Sequence, residues 1–231
     1  MKIGIMQPYF FPYLGYWQLI NAVDKYVVYD DVTYIKGGWI NRNNILLNGN
    51  KHLLTLPLDG SSSFKNINEI AITPKEAVRK KVLRTLASAY IKSPYYDCVM
   101  PILEKLIIES TQISELNFNA IKDIAKYVGI KTELILSSEL AKDSPLKGQE
   151  KVLHICGLLG GNTYINAIGG QKLYSTERFK KENIELKFLE MSNIEYRQYG
   201  ATFIPGLSII DVLMFNSPED IKKMLKEYRL I

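Results

Sequence analysis

The turn after the first predicted strand collects side chains that can bind a ligand. Residues 6–17 read Met-Gln-Pro-Tyr-Phe-Phe-Pro-Tyr-Leu-Gly-Tyr-Trp. Two prolines fix φ and remove backbone donors, so the turn is stiff, and a glycine lets a ligand approach the start of the next helix closely. An aromatic-rich core segment is the other interpretation. We favour a binding turn, in which a cofactor contacts Gln7, Tyr9, Tyr13, Gly15 and Tyr16.

A second polar cluster follows the second predicted strand, and it lies beside this turn if the two strands are parallel. Asp30 and Asp31 stand at the end of that strand, where paired carboxylates can hold Mg²⁺ or hydrogen-bond sugar hydroxyls. Aspartates are also common turn residues, so a plain turn is the alternative. The candidate catalytic residues are Asp30, Asp31, Lys36 and His52, the last as a general base.

The segment Trp-Ile-Asn-Arg-Asn at residues 39–43 offers recognition groups in succession. Trp39 can stack on a base or a sugar face, and the guanidinium of Arg42 can grip phosphate or carboxylate with two hydrogen bonds. A hairpin turn with solvated charges and a core tryptophan is the alternative. We predict that the substrate contacts Trp39, Asn41, Arg42 and Asn43.

Two later turns add candidate binding residues. The segment 166–171 follows a predicted strand, and the backbone amides of Gly169 and Gly170 can cradle an anion of the cofactor, although a plain turn explains them equally well. Ser208 follows a Pro-Gly turn as a helix cap. Asp211 lies on that helix, where a solvated carboxylate is the alternative to a ligand contact. Ser208 and Asp211 complete the predicted substrate site.

Several kinds of chemistry find no support in the sequence. It has no nucleophile elbow, P-loop, GxGxxG or HExxH pattern, so nothing favours an acyl-enzyme on serine or cysteine. With two histidines and two cysteines, we predict no zinc site. Cys98 and Cys156 are predicted to be reduced core residues, and His154 a core histidine.

The hydrophobic pattern predicts an α/β fold with a mostly parallel sheet and helices on both faces. Strands are predicted at Lys2–Met6, Tyr26–Asp30, Lys51–Leu56, Thr132–Leu136, Asn162–Asn166 and Glu185–Leu189. Helices are predicted at Gln18–Val23, Lys75–Tyr90, after Ser93-Pro94, at Glu115–Val128 and at Gln149–Leu159. We expect one domain over residues 1–231, with a helical insertion at about 75–130.

The composition, 47% hydrophobic and 23% charged, is that of an ordinary folded protein. No apolar run approaches the roughly 20 residues of a membrane helix, and no secretory signal is visible. We therefore expect a cytoplasmic protein without membrane insertion. The net charge of +5 is mild, and Arg79, Lys80, Lys81 and Arg84 are expected on a solvated helix face, so we predict no nucleic-acid partner.

Four motifs in order carry a family resemblance over essentially the whole chain. They are residues 7–16, the segment 36–43, Thr163-Tyr164 leading to Gly169-Gly170, and residues 205–208 leading to Asp211. With these motifs the chain resembles the WbqC-like family of bacterial proteins. Members of that family are associated with O-antigen and other surface-polysaccharide gene clusters. The resemblance implies modification of a nucleotide-linked amino sugar, by attachment of an acyl or aminoacyl group.

A more distant resemblance concerns the fold and the cofactor. The segment 11–16 is similar to the histidine-x-glycine-histidine motif of nucleotidyltransferases and pantothenate synthetases, with Tyr13 and Tyr16 in place of the histidines. This implies a Rossmann-like (nucleotidyltransferase-like) sheet, and ATP with Mg²⁺ as cofactor. The sequence departs from the motif because phenols are not cationic near neutral pH. Lys147 or Lys172 could replace the late basic loop of that superfamily.

Two functions from different classes follow. The first is an enzyme that joins a small carboxylic acid or amino acid to the amine of a nucleotide-linked amino sugar, with activation by ATP or with a preactivated thioester donor. The second is a non-catalytic sugar-nucleotide-binding module of a polysaccharide assembly complex. A nucleic-acid binder is a third hypothesis, and it rests only on the mild positive charge.

Overall fold

The computed structural model describes residues 1–142, 146–200 and 202–231. Its strands are β1 (Lys2–Met6), β2 (Lys25–Val28), β3 (Arg42–Leu47), β4 (Asn50–Thr55), β5 (Leu58–Asp59), β6 (Ala71–Ile72), β7 (Glu133–Leu136), β8 (Thr163–Ala167), β9 (Glu185–Met191) and β10 (Tyr228–Leu230). Its α-helices are α1 (Leu14–Ala22), α2 (Glu76–Tyr90), α3 (Tyr96–Glu109), α4 (Ile113–Val128), α5 (Gly148–Leu158), α6 (Thr176–Lys181), α7 (Ile209–Phe215) and α8 (Pro218–Met224). The fold is therefore mixed α/β, as the sequence predicts.

A six-stranded sheet forms the centre, in the order β10-β9-β8-β1-β2-β7. All neighbouring strands are parallel except the pair of β9 and β10. From β1 the chain continues to β2 and β7 on one side, whereas β8 and β9 lie on the other side. The strand order thus reverses between β1 and β8. In open parallel sheets, ligands bind at the carboxyl ends of the strands at such a switch point.

Both faces of the sheet are covered, which explains why the middle residues of β1, β2 and β8 are all buried. Ile3 and Ile5 of β1 and Val27 of β2 pack in a core with α5 and α6. Tyr26 and Val28 of β2 face the opposite way, into a larger core with α1 and the helices α2 to α4. This alternation follows from the period of two residues in a strand.

Helix α1 begins earlier than its apolar run predicts. It starts at Leu14, directly after the proline-containing turn, and residues 14–20 are all buried. Because the helix is covered on every side, it shows little of the polar and apolar alternation that marks a surface helix. Helices α2, α3 and α4 follow one another without an intervening strand, and α4 ends at Gly129, whose φ is 78°.

The predicted strand at residues 51–56 is real but lies outside the central sheet. It is β4, which pairs antiparallel with β3 in a separate hairpin. The hairpin turns at Asn48 and Gly49, both with positive φ (51° and 74°). Asn-Gly is the strongest short signal for such a turn, and it was present in the sequence. Strand β3 was missed because its first three residues, Arg-Asn-Asn, are polar.

Two smaller predictions are also wrong. Arg79 is buried rather than solvated, and its guanidinium donates to the carbonyls of Thr73, Ile108 and Ser110 at 2.7–2.9 Å. Cys98 is exposed, whereas Cys156 is buried and burial raises its pKa to about 12. No helix in the described part of the chain is long and apolar enough to cross a membrane.

Candidate functional site

The aromatic turn is held in a strained conformation. Phe11 has a φ of 42°, which is rare for a bulky residue that is not glycine. Its carbonyl accepts hydrogen bonds from the amide of Asn43 at 2.9 Å and the hydroxyl of Ser208 at 2.6 Å. The indole of Trp17 donates to the next carbonyl, that of Pro12, at 3.0 Å. Strain of this kind persists only where the surroundings impose it, and it is typical of binding sites.

The segment 39–43 packs directly on this turn. The backbone amide of Phe10 donates to the carbonyl of Trp39 at 2.8 Å, and the side chain of Asn43 donates to the carbonyl of Phe10 at 3.1 Å. The fully buried Asn117 of α4 joins the same two segments, since its amide donates to the carbonyls of Pro8 and Ile40 at 3.1 and 2.9 Å. The two motifs therefore meet in space.

Together they wall a cavity of about 490 Å³ at the carboxyl ends of β1 and β8. We call it the first cavity. It is lined by Met6, Tyr9, Pro12, Tyr13, Trp39, Asn43, Asn166, Ala167, Gly169, Gly170, Leu173 and Gly206. Its position coincides with the switch point of the sheet, and its volume lies in the range of small-molecule sites.

A second cavity of about 430 Å³ adjoins the first and shares four of its lining residues. The shared residues are Met6, Tyr9, Asn166 and Leu173. The second cavity is further lined by Ile5, Gln7, Tyr29, Ile35, Gly148, Gln149, Val152 and Tyr174. Gly148 and Gln149 begin helix α5, where free backbone amides favour an anion. We refer to the two cavities together as the cleft.

Asn166 stands between the two cavities and is fixed by neighbours. Its amide donates to the hydroxyls of Tyr164 and Tyr174 at 2.6 and 3.2 Å, and its carbonyl oxygen accepts from the amide of Ala167 at 2.7 Å. A Cβ at Gly170 would lie 3.0 Å from that oxygen. A side chain at Gly170 would therefore crowd Asn166, whereas a Cβ at Gly169 would meet nothing within 4 Å.

The phenols of the cleft are hydrogen-bonding groups, not bases. Burial raises the pKa of Tyr9, and burial with the neighbouring Tyr9 raises the pKa of Tyr13. Burial likewise raises the pKa of Tyr174. All three hydroxyls therefore stay protonated near neutral pH and can donate to a ligand oxygen. Among the described residues, no charged side chain lines either cavity.

Comparison with known proteins identifies the family of this chain. The model of the WbqC-like protein family matches residues 7–223. The chain belongs to the WbqC-like protein family. A protein of Mycobacterium tuberculosis, named as the uncharacterized protein Rv1507c, is 28% identical over 221 residues, which cover 93% of each chain. No solved structure matches the chain.

In this WbqC-like protein, seven of the predicted binding residues line the cleft. They are Gln7, Tyr9, Tyr13, Trp39, Asn43, Gly169 and Gly170. Sequence reasoning singled out the segment 166–171 but proposed only its two glycines as contacts, and of the other lining residues Asn166 is the most informative. Its signal was a polar residue near the carboxyl end of a strand and three residues before a glycine pair. Residues such as Leu173 and Val152 gave no signal, because apolar side chains on a cavity wall resemble those of a core.

The predicted carboxylate pair does not face the cleft. Asp30 is buried, and its two oxygens accept hydrogen bonds from the backbone amide and the hydroxyl of Ser138 at 2.9 and 2.6 Å. Asp31 forms ion pairs with Lys142 at 3.1 Å and Lys151 at 3.0 Å. The prediction that these side chains contact the ligand is therefore corrected. They join the end of β2 to the segment after β7 and to α5.

The electrostatics of Asp31 agree with that structural role. Burial alone would raise its pKa, but hydrogen bonds from Ser137, Lys151 and Lys142 outweigh burial and lower the pKa below its usual value. The carboxylate thus stays ionised between two lysines. Within the described residues, no group of three or more His, Cys, Asp or Glu side chains could hold a metal ion.

Two other candidate catalytic residues are also placed outside the cleft. Lys36 is exposed in the loop before Trp39, and it lines neither cavity. His52 is exposed on β4, where it pairs with Ile45. His52 also lines neither cavity. Neither side chain therefore contacts the cavity walls that a ligand would touch.

Two polar groups of the segment 39–43 serve the backbone. Asn41 donates to the carbonyl of Leu56 at 2.9 Å and accepts from the hydroxyl of Tyr34 at 3.1 Å. Arg42 folds back and donates to the carbonyls of Gly38, at 3.1 Å, and Gly37. Both side chains shape the loop that presents Trp39, and the prediction that they line the site is corrected.

The remaining four predicted residues support the cleft from behind. Tyr16 is fully buried and donates to the carbonyl of Gln7 at 2.9 Å. Gly15 is buried beneath the ring of Tyr13. Ser208 caps α7, as its sequence context predicts, and binds the Phe11 carbonyl. Asp211 is fully buried, and its two carboxylate oxygens accept hydrogen bonds from two tyrosine hydroxyls. None of these side chains is available to a ligand.

Proposed function

We propose that this protein is a transferase or ligase that attaches an acyl or aminoacyl group to the amine of a nucleotide-linked amino sugar in surface-polysaccharide (O-antigen) biosynthesis. The observation that carries the proposal is the two-part cleft at the strand switch point, walled by the aromatic turn, Trp39 and Asn166. The strand order supports a Rossmann-like (nucleotidyltransferase-like) sheet as part of the proposal. We place the reaction in the cytoplasm, where sugar nucleotides are available.

The lining of the first cavity suits the uncharged rings of such a substrate. Trp39, Tyr9 and Tyr13 can offer aromatic faces for a sugar or a base, and the backbone amides of Gly169 and Gly170 supply polar groups. The second cavity offers the start of α5, where the amides of Gly148 and Gln149 favour a phosphate or a carboxylate. The ligand's ring would thus occupy one cavity and its anionic group the other.

Positioning would supply most of the rate. The lone pair of the sugar amine forms the new C–N bond, the bond from the acyl carbon to its activating group breaks, and the amine releases one proton. Phenol and backbone donors in the cleft can stabilise the negative charge on the acyl oxygen. With an acyl adenylate the leaving group is AMP, and with a thioester it is a thiol. The carboxylate pair Asp30 and Asp31 does not fit a Mg²⁺ site, because both side chains are engaged elsewhere.

A non-catalytic module that binds a sugar nucleotide is the second candidate. The specific observation in its favour is that no charged side chain lines either cavity in the described part of the chain. Amide formation then lacks a side-chain base, and the released proton must pass to the leaving group or to water. A binding module needs no such group.

The deciding experiment incubates the protein with uridine- and thymidine-linked amino sugars, ATP with Mg²⁺, and a panel of small carboxylic and amino acids. An increase in the mass of the sugar nucleotide, with release of AMP or ADP, supports the ligase. Acylation that occurs only with thioester donors supports the preactivated route. Binding of a sugar nucleotide without any acylated product would support the non-catalytic binding module and refute the proposal of an enzyme.

The site itself is tested with Trp39→Ala, and Ile91→Ala is the control. Ile91 is an exposed apolar residue at the end of α2, and it lines neither cavity. Loss of a stacked aromatic face costs about 1 kcal/mol or more, so we expect the dissociation constant of the sugar nucleotide to rise at least about fivefold for Trp39→Ala. Equal effects of the two substitutions would contradict the site.

A further inference from the structure

Large apolar side chains stand exposed around the mouth of the cleft. Ile35, Trp39 and Leu173 are 52%, 44% and 69% exposed, and all three line one or both cavities. Leu173 lines both cavities, so it joins the other two at one opening. Isolated exposed apolar residues are common on protein surfaces, but several at one opening mark an interaction surface.

Phe64 extends this surface. It is 98% exposed, more than any other large apolar residue in the described part of the chain. The backbone carbonyl of the next residue, Lys65, accepts a hydrogen bond from the amide of Tyr34 at 2.9 Å, so the Phe64 loop lies beside the segment that carries Ile35. We call Ile35, Trp39, Phe64 and Leu173 the apolar rim.

Basic residues accompany the apolar rim, and acidic residues are missing from its segments. Lys36, Lys65 and Lys172 are exposed, and each is the direct neighbour of a rim residue. Residues 32–58, 60–68 and 165–176 contain no Asp or Glu. None of these three lysines forms a salt bridge within the described residues. The rim is thus apolar at its tips and positively charged beside them.

We propose that the apolar rim docks on an anionic lipid bilayer, so that the cleft opens toward the membrane surface. Exposed Trp, Phe, Leu and Ile next to Lys are the combination that enters the boundary between headgroups and acyl chains, while the lysines bind anionic headgroups. This charge complementarity favours a bilayer over an uncharged apolar partner. The docking concerns where the protein works, and it goes beyond the proposed reaction.

The two tryptophans make the docking measurable. Trp39 belongs to the rim, whereas Trp17 is only 1% exposed. The full chain is mixed with vesicles of phosphatidylcholine alone, or of phosphatidylcholine and phosphatidylglycerol at about 3:1. We expect co-sedimentation and a blue shift of the emission only with the anionic vesicles, and quenching by brominated acyl chains. Binding should weaken as salt is added, because added ions screen the lysines.

Variants separate the two contributions. Phe64→Ser should weaken binding to anionic vesicles about tenfold, since one large apolar side chain no longer enters the interface. Replacing Lys36, Lys65 and Lys172 by Gln should weaken it about fivefold for each lysine. The matched control is Ile91→Ser, because Ile91 is 62% exposed and is followed by Lys92 but lies at the end of α2, outside the rim. The control should bind like the wild type.

Three outcomes overturn the proposal. The first is that the wild type does not bind anionic vesicles. The second is that Ile91→Ser and Phe64→Ser lose the same vesicle affinity, and the third is that the rim variants bind vesicles like the wild type. If the rim variants instead lose affinity for a soluble acyl thioester, with no vesicle binding by the wild type, the rim covers the acyl chain of a soluble donor. Vesicle binding is measured without nucleotide, so its failure is distinguishable from failure of the sugar-nucleotide assay.

Discussion

The side-chain amide of Asn43 donates to two consecutive carbonyls, those of Phe10 and Phe11, and its oxygen accepts from the backbone of Asn44 at 2.8 Å. Every hydrogen bond of this buried group therefore serves the backbone of the turn or the start of β3. Sequence reasoning placed Asn43 at the site but as a ligand contact. The hydrogen-bond partners of a side chain depend on which backbone groups the fold brings near it. These partners cannot be predicted from the adjacent residues in the sequence.

Asn43→Ala tests this role. We expect the free energy of unfolding to fall by about 2 kcal/mol, because two buried carbonyls lose a donor. Ligand affinity should also fall, since the strained φ of Phe11 loses part of its support. Urea denaturation and ligand titration measure the two effects. Asn44→Ala is the matched control, and similar losses in both variants would contradict the assignment.

Asp211 gives a prediction about pH. It is fully buried, and the hydroxyls of Tyr90 and Tyr196 each donate to it at 2.9 Å. Burial raises the pKa of Asp211 above its usual value, although the hydrogen bonds from the two phenols act in the opposite direction. The folded state thus favours the protonated acid. The stabilisation linked to this proton is fully present below the pKa of the unfolded chain and is lost as pH rises through the pKa of the folded protein.

We therefore expect the stability of the wild type relative to Asp211→Asn to decrease as pH rises from about 3 toward neutrality. The neutral amide has no proton to lose in this range. Urea denaturation of both proteins at a series of pH values gives the difference in the free energy of unfolding. A difference that stays constant or grows with pH would show that burial does not dominate at Asp211.

At the scale of elements, the central strands were predictable and the accessory ones were not. β1, β2 and β8 each have three consecutive buried residues and are short, largely apolar runs that stand out in the sequence, and β7 and β9 are partly buried runs that still carry Leu, Ile or Phe. β10 has three residues and β5 and β6 have two each, too few for any periodicity to show. Their formation depends on neighbours in space.

Arg79 shows how a helix can be misread from charge alone. It lies in a basic run that predicts a solvated face, yet it is 7% exposed and its guanidinium reaches the last turn of α3. There it donates to the carbonyls of Ile107, Ile108 and Ser110. A cation is favourable at a helix C-terminus, where carbonyls lack partners within the helix.

Arg79→Met should therefore destabilise the protein by about 3 kcal/mol, since several buried carbonyls lose a charged donor while the apolar stem is kept. Arg84→Met on the same helix is the matched control, because Arg84 is exposed. Thermal and urea denaturation report the difference. Equal stability of the two variants would show that the hydrogen bonds of Arg79 to α3 contribute nothing to stability.

At the scale of the whole molecule, the three consecutive helices are tied to the cleft by Asn117. Its amide in α4 bridges the backbone of the aromatic turn and the backbone of Ile40. The sequence predicts this helix and its apolar face, but it gives no sign that one polar residue on it reaches the site. Such long-range contacts follow from how α4 packs beside the aromatic turn and Ile40 in the folded protein, not from local pattern.

Asn117→Leu keeps the size of the side chain and removes both bonds. We expect weaker ligand binding, by about tenfold, with a stability loss of about 1–3 kcal/mol, because the turn and the segment 39–43 are no longer joined at this point. Asn21→Leu, a partly buried asparagine on α1, is the control. Titration at a temperature well below both unfolding transitions separates affinity from stability. Unchanged affinity in Asn117→Leu would show that α4 is not coupled to the cleft.

The sheet order has a consequence for synthesis on the ribosome. β1 is made early, and one of its neighbours in the sheet, β2, follows soon after it in the sequence. Its other neighbour, β8, lies about 160 residues later. A nascent chain that has reached β7 already contains the aromatic turn and Trp39, yet it has no opposite wall for them. Until β8 is translated, one edge of β1 stays unpaired and open to other chains. The cleft is thus among the last parts of the molecule to be completed.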